Sequence, residues 1–535
     1  MRSKAKVATA VAIALLSVAG VAAANSALDA PVKPDGSTAL MWAAFQGDVA
    51  EAKRLIDEGA DVKVANNYGV NAMQLAADTA NTELIQLLLK AGADPESPNP
   101  DGETALHVVA RSGNLEAAKL LLAAGAKVDA RERFGDQTPL MWATARRHPA
   151  MVELLLSKGA DVNARGAVRD YKRVATAESR AATRDRGGLT PLMYAARGNC
   201  RECVEILLKY KADVNLPDPS FIVPMSIAMM GGNWDIAKRL IEAGADVNQW
   251  DMNGGSPLAV AIANMGTPNN RNPLDQDEPN KATPREVITM LLDRGANPNQ
   301  QLYHGANGLG GSADRGMTPF LSACSSGDIT LVKQLLEHGA NPKLATADGR
   351  GPIIMVASGR GGGGGRGGAR GAPAAAEGDD AADAPAAAGG APAAGRAPAR
   401  ANPQVELIKL LADAGADVNL VGKVHLLART RGGSALHYAV RAGGNNQVID
   451  ELLSLGLSVN VKDEDGLTAL DYAMGRGYVP FLQMAQPVNK PLADFLRSKG
   501  ANVELDAIPD WPPQGPPIAT AVYDSFLWPV DPVGP

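Results

Sequence analysis

The chain repeats itself about every 33 residues, and this period limits what it can fold into more than any other feature. A Gly-Ala pair recurs at Gly59, Gly92, Gly125 and Gly159, in steps of 33, 33 and 34. Lys211 then stands where the glycine would be, and Gly244 follows 33 residues later. The stretch from Asp101 to Asp129, DGETALHVVARSGNLEAAKLLLAAGAKVD, shows what is repeated. Thr104 can cap a short helix whose apolar positions are Ala105, Leu106, Val108, Val109 and Ala110, with Gly113 ending it. A second short helix carries Ala117, Ala118, Leu120, Leu121 and Leu122 at helical spacing and stops at Gly125. Helices this short are unstable alone in water, so neighbouring copies of the same unit must bury their apolar faces.

About eleven such copies run from Gly36 to Asn502. Repeats one to four occupy residues 36–163 and open at Thr38-Ala39-Leu40-Met41-Trp42, Asn71-Ala72-Met73, Thr104-Ala105-Leu106-His107 and Thr138-Pro139-Leu140-Met141-Trp142. Residues 188–502 hold the rest, interrupted by loops. Repeats five and six open at Thr190 and Val223, and repeat seven opens at Ser256 but is split between its helices from about Met265 to Pro284. Repeat eight opens at Thr318. Repeat nine begins at Gly349, breaks off for residues 359–403, and resumes at Val405 to close at Gly415-Ala416-Asp417, so the two halves should make one repeat. Repeats ten and eleven open at Ser434 and Thr468, and the last should act as a cap with a polar outer face.

With Thr-Pro/Ala-Leu opening a unit and Gly-Ala-Asp-Val-Asn closing it, the sequence resembles the ankyrin repeat. The resemblance covers nearly the whole chain beyond its first residues. It implies an all-α solenoid of about eleven helix-turn-helix units with β-hairpin fingers. It also implies a histidine at the fourth opening position, bracing the turn; Met41 and Met141 depart from that and should rely on packing.

At the start of the chain, Arg2, Lys4 and Lys6 precede an uncharged apolar run from Val7 to Ala24 that ends in three alanines. Residues 1–24 read as a secretory signal peptide cut after Ala24 rather than an anchor, since the run is barely long enough to span a bilayer. The expectation is a periplasmic or secreted protein with no membrane insertion after cleavage. Loss of three basic residues takes the formal charge from −6 to −9, which argues against general nucleic-acid affinity. Residues 164–187 form a basic insertion, with seven arginines and lysines against three acids, on the finger side of its repeat. Within residues 359–403, GRGGGGGRGGARG looks like an RNA-binding tract, but nearby acids cancel most of its charge. The segment, almost without large apolar side chains, reads as a disordered linker. Residues 506–535 form a Pro/Trp-rich tail, expected to lie extended against the last repeats or to serve as a ligand for another protein.

Signatures of catalysis are missing from the sequence: no Ser/His/Asp set, no phosphate-cradling loop before a helix and no His-Glu-x-x-His. No enzyme activity, cofactor or metal is expected. Cys200 and Cys203 have the spacing of a redox pair, yet Cys203 falls on the apolar stripe of a second helix, where packing accounts for it. Cys324 occupies a small buried position.

What remains is the concave groove that the resemblance implies, lined by finger tips and the exposed ends of first helices. The helix ends present Phe45, Arg111, Arg146, Arg197, Met230 and Arg441, and the fingers present Tyr68, Phe134, Trp250 and Met252. Arginine and aromatic side chains carry interface energy when desolvated. The expected function is a non-catalytic scaffold, a monomer binding an acidic or extended protein surface. A protective role toward an envelope redox enzyme, or thiol-disulfide chemistry at Cys200 and Cys203, is the alternative.

Overall fold

A computed structural model describes residues 28–169, 187–266, 279–303, 315–359, 402–423, 432–476 and 488–502. The expected signal peptide, most of the basic insertion, nearly all of 359–403 and the Pro/Trp-rich tail lie outside those residues. The described chain forms two units, one of residues 28–169, 187–246 and 279–283, the other of 247–266 and everything described from Pro284 onward.

Each unit is a stack of helix pairs. In the first, repeats one to six pair Ala39–Gln46 with Val49–Asp57, Ala72–Asp78 with Thr82–Lys90, Ala105–Ser112 with Leu115–Ala123, Pro139–Ala145 with Pro149–Ser157, Pro191–Arg197 with Arg201–Lys209, and Pro224–Met230 with Trp234–Glu242. In the second, repeats seven to eleven pair Pro257–Ala263 with Pro284–Asp293, Pro319–Ser326 with Ile329–Glu337, Pro352–Ala357 with Pro403–Asp413, Ala435–Arg441 with Asn446–Ser454, and Ala469–Ala473 with Lys490–Ser498.

Local sequence explains where these helices begin and end. Thr38, Thr138, Thr190 and Thr318 cap first helices by accepting the backbone N–H three residues on, and proline often fills the first helical turn, where its missing N–H costs nothing. Second helices are capped by Asp48, Asn81, Asn114, Asp328 and Asn489. They end on a residue with positive φ, normally glycine; Lys211 keeps that conformation at φ 64°, which a side chain adopts only under strain. Between the capped ends, Leu84, Ile85, Leu88, Leu106, Leu121 and Leu140 are fully buried, each contributing roughly 1.5–3 kcal/mol.

The closing Asp-Val-Asn run is the mortar between repeats. Its acid side chain accepts the N–H two residues on, as Asp161 does from Asn163 and Asp213 from Asn215, both at 2.9 Å. Its asparagine reaches across to the next repeat. Asn215 accepts from Asp246 N–H at 2.7 Å and Asn299 from Asn341 N–H at 2.7 Å, while Asn248 and Asn460 also donate to Gly295 and Gly500 carbonyls. This link survives the interruptions. Asn163 accepts from Asp213 N–H at 2.9 Å across the basic insertion, whose described ends pair at Val168 and Gly187 on the finger side, as expected.

Both split repeats close as single repeats. Gln404 donates to the Val356 carbonyl at 3.2 Å, and Leu407, Ile408 and Leu411 are fully buried. Val287, Ile288 and Leu291 do the same for repeat seven. In the last repeat Leu492, Ala493 and Leu496 face inward while Lys490, Asp494 and Arg497 stay exposed, the polar cap the sequence implies.

Two expectations need adjusting. Among the described residues the fingers are mostly tight turns, with one two-stranded ladder, Val421–Gly422 against Gly433–Ser434, and isolated bridges such as Ala65 with Asn71. A side chain does the work of a longer ladder: Asn66, Asn99, Asp218, Asp251 and Asp463 each accept backbone N–H groups two and four residues on. Packing, moreover, is only half of the account at Cys200 and Cys203. Cys203 is fully buried on the apolar stripe, and the two residues are joined in a disulfide. Cys324 is buried and unbonded, its thiol pushed well up by burial.

Candidate functional site

A described first helix is five to eight residues long. Three residues apart on it lie the position after the bracing residue and the helix end, neighbours on a helical surface. In repeat one these are Trp42 and Phe45, stacked 5.5 Å apart, with Lys33 Nζ 4.3 Å from the Trp42 ring centre. In repeat five the Arg197 guanidinium lies 5.1 Å from the Tyr194 ring. In repeat ten Arg441 lies 5.6 Å from Tyr438 and equally far from Tyr472 of repeat eleven. Arg111 crosses to the next repeat, 5.3 Å from the Trp142 ring, and pairs with Asp78 at 3.2 Å. The site is thus a series of cation–aromatic stacks, each holding a guanidinium or ammonium in place.

Of the residues selected from sequence, Phe45, Arg111, Arg197 and Arg441 enter these stacks. Trp250 packs edge-on against Tyr303, 5.8 Å away, in the finger region of repeat seven. Tyr68 and Phe134 stand 66% exposed at their finger tips. Arg146 is exposed just beyond its helix. The exposed Met230 and Met252 join none of these ring clusters.

Sequence reasoning missed Trp42, Trp142, Tyr194, Tyr438 and Tyr472, the aromatic half of the stacks. The signal was available: the residue after the bracing position is aromatic in five of the copies. Phe221 was also missed. It holds φ 62°, is 57% exposed, and sits in the repeat-six finger where others have Gly102 or Gly254. A strained, exposed aromatic is a costly placement for stability alone.

Behind the stacks, buried groups set the turns rigidly. His107 Nδ1 accepts the Thr104 N–H at 3.1 Å, leaving Nε2 to donate to the Gln137 carbonyl at 3.1 Å. His437 does the same with Ser434 and Leu467. Burial holds both imidazoles below the usual histidine range, so both braces are neutral. Gln74 makes a comparable pair of bonds in repeat two, accepting from Asn71 N–H and donating to the Ser97 carbonyl earlier in the finger, without a titrating group. Met41 and Met141, lacking these bonds, are buried as expected.

A prediction follows from that equivalence. Because the folded-state pKa of His107 is lowered, its contribution is complete above the unfolded value near 6.5 and drains away as pH falls below it. His107→Gln should change stability by less than about 1 kcal/mol at pH 7.5 and flatten the decline toward pH 5, with the His437 share remaining. Urea midpoints across that range are the check. An unchanged pH slope would show that His107 is not held neutral.

The described residues contain no cluster of three or more His, Cys, Asp or Glu side chains able to hold a metal, and no helix long and apolar enough to cross a membrane. Two surface depressions lie along second helices, one of about 520 Å³ beside Arg285 and Asp293, another of about 260 Å³ beside Arg201 and Asp235, and none of the stack residues lines them.

Comparison with known proteins agrees with this architecture. A family model described as ankyrin repeats (3 copies) matches residues 9–99, 80–166 and 397–502, and single ankyrin-repeat models match 187–219 and 315–344. The B-cell lymphoma 3 protein homolog of Mus musculus is 28% identical over 229 residues, 42% of this chain and 40% of that protein. The ankyrin repeat protein nuc-2 of Neurospora crassa is 24% identical over 291 residues, 54% of this chain and 20% of that one. Among solved structures, the ankyrin repeat domain of Bcl-3 is 26% identical, covering 48% of this chain and 99% of that chain at a TM-score of 0.37. The chain therefore spans two fifths or less of the length of these curated relatives.

Proposed function

The chain belongs to the ankyrin repeat family, and on that premise we propose that it is a scaffold of the cell envelope that captures one protein partner through its cation–aromatic stacks. A protein-binding role is what the family's repeats serve; the partner and the place are this reading's own. Residues 1–24 act as its signal peptide, which puts the mature chain in the periplasm or outside the cell, as a monomer.

The observation that carries the reading is the recurrence of one device. Arg111 over Trp142 and Arg197 over Tyr194 in the first unit, and Arg441 over the buried Tyr438 and Tyr472 in the second, each set an arginine from a first-helix end on an aromatic ring. A guanidinium already held on a ring loses little freedom on meeting a carboxylate or a backbone carbonyl, so binding costs less. The aromatic rings and finger residues Tyr68 and Phe134 add apolar contact. An acidic, extended segment of a partner suits that surface.

The test is affinity capture from an envelope extract with the full mature chain, followed by hydrogen-exchange comparison of the free and bound chain. Protection should appear at first-helix ends and finger tips. Protection confined to the second helices would overturn the proposal.

A further inference from the structure

We propose that Cys200 and Cys203 are a reversible dithiol–disulfide couple that exchanges through Cys200 and sets how firmly repeats four and five are joined. Three observations meet there. First, the disulfide spans the first turn of the nine-residue helix Arg201–Lys209, with Cys200 as its cap: the Cys200 sulfur accepts the Cys203 N–H at 3.3 Å. Second, both residues are buried, Cys203 fully and Cys200 to all but 5%, so Cys200 is the nearer of the two to an incoming thiolate. Third, the position is one where other repeats use a donor. Asn81 donates to the Gly47 carbonyl, Asn114 to Ala80 at 2.9 Å and Asn233 to Ala196 at 2.8 Å, while His148 Nε2 lies 2.9 Å from the Arg111 carbonyl. Each ties its turn to the matching turn of the repeat before.

An oxidised Cys200 has no hydrogen to give. Repeats four and five remain joined elsewhere, through Asn163 with Asp213, Gln137 with Tyr194, and Glu153 with Lys209 and Tyr210. The stack thus folds in either state, and only the turn contact changes.

The step balances with a dithiol as reductant. Its thiolate attacks the Cys200 sulfur, forming a mixed disulfide and expelling Cys203 as a thiolate, which takes a proton. The second thiol of the reductant then displaces Cys200, and the reductant leaves as its own disulfide. Two electrons and two protons pass to the protein. Cys200 emerges at a helix N-terminus, where backbone N–H groups favour its thiolate in the exchange, and in its thiol form it gains the donor that Asn81 and Asn114 have.

The test uses the full chain equilibrated in reduced or oxidised dithiothreitol, acid-quenched, and labelled with maleimide-polyethylene glycol after unfolding. The expected result is one adduct when oxidised, from Cys324, and three when reduced, with helical circular dichroism unchanged. Hydrogen exchange at residues 146–148 and 198–200 should slow about threefold on reduction, the effect of one modest hydrogen bond. Cys200→Asn should show the slower exchange in either buffer. Resistance of the pair to reduction until urea unfolds the chain, three adducts under oxidising conditions, or exchange at those turns that ignores both redox state and Cys200→Asn would each overturn the proposal.

Discussion

Leu407→Ala should destabilise the second unit by about 2–5 kcal/mol, the usual cost of a cavity at a fully buried leucine. This is the largest effect expected of any single change considered. Leu407 lies in the helix Pro403–Asp413, separated in sequence from its partner Pro352–Ala357 by more than forty residues outside the described structure. If the two halves make one repeat, the loss must be felt by the residues packed on both sides. A stack transmits such damage to nearest neighbours and little further. Hydrogen exchange should therefore quicken in 352–357 and 435–454 and stay unchanged in repeats one to four, while the urea midpoint of the second unit falls. A loss below about 1 kcal/mol, with exchange at 352–357 unaffected, would mean that the halves do not depend on each other.

The fold was legible because a 33-residue period leaves few solutions. Most units announce their start with a capping Thr or Ser and their end with Gly-Ala, and the two short helices between them cannot stand alone. Even the interrupted repeats seven and nine could be joined, since the apolar pattern of Val287, Ile288 and Leu291, or of Leu407, Ile408 and Leu411, resumes in phase with its missing half. What the closing asparagines do was not legible, because a bond from Asn215 to Asp246 or from Asn299 to Asn341 joins residues that only stacking brings together. The fingers were read as hairpins, yet five of them are turns held by one Asn or Asp side chain.

The candidate site was half legible. Helix-end positions pointed to Phe45, Arg111, Arg197 and Arg441, because the pattern leaves these free. The rings beneath the arginines were passed over: Tyr438 and Tyr472 are mostly buried and look like core, and only the structure shows a guanidinium resting on them. At Cys200 and Cys203 the spacing serves packing and disulfide equally well, and sequence cannot choose between two uses that coexist.

The second large effect concerns binding. Arg111, Arg146 and Arg197 belong to repeats three, four and five of the same unit. Arg111 shares its charge with Asp78, whose carboxyl is raised by burial more than the arginine lowers it, so that pair is already partly desolvated. Arg146 and Arg197 are both exposed, and Arg111 is half-buried. An arginine that is desolvated against a partner carboxylate is worth about 2 kcal/mol or more, and three of them acting on one ligand should not be less than that.

The most direct measurement is accordingly capture of the partner by the full mature chain, with Arg111, Arg146 and Arg197 intact or all changed to Ala, at low and raised salt. The account predicts at least about a thirtyfold loss of affinity in the triple variant at low salt, and a wild-type affinity that falls with salt while the variant's barely responds. Equal capture by both chains at both salt concentrations would contradict it, and these first-helix arginines would then not be where the chain holds its partner.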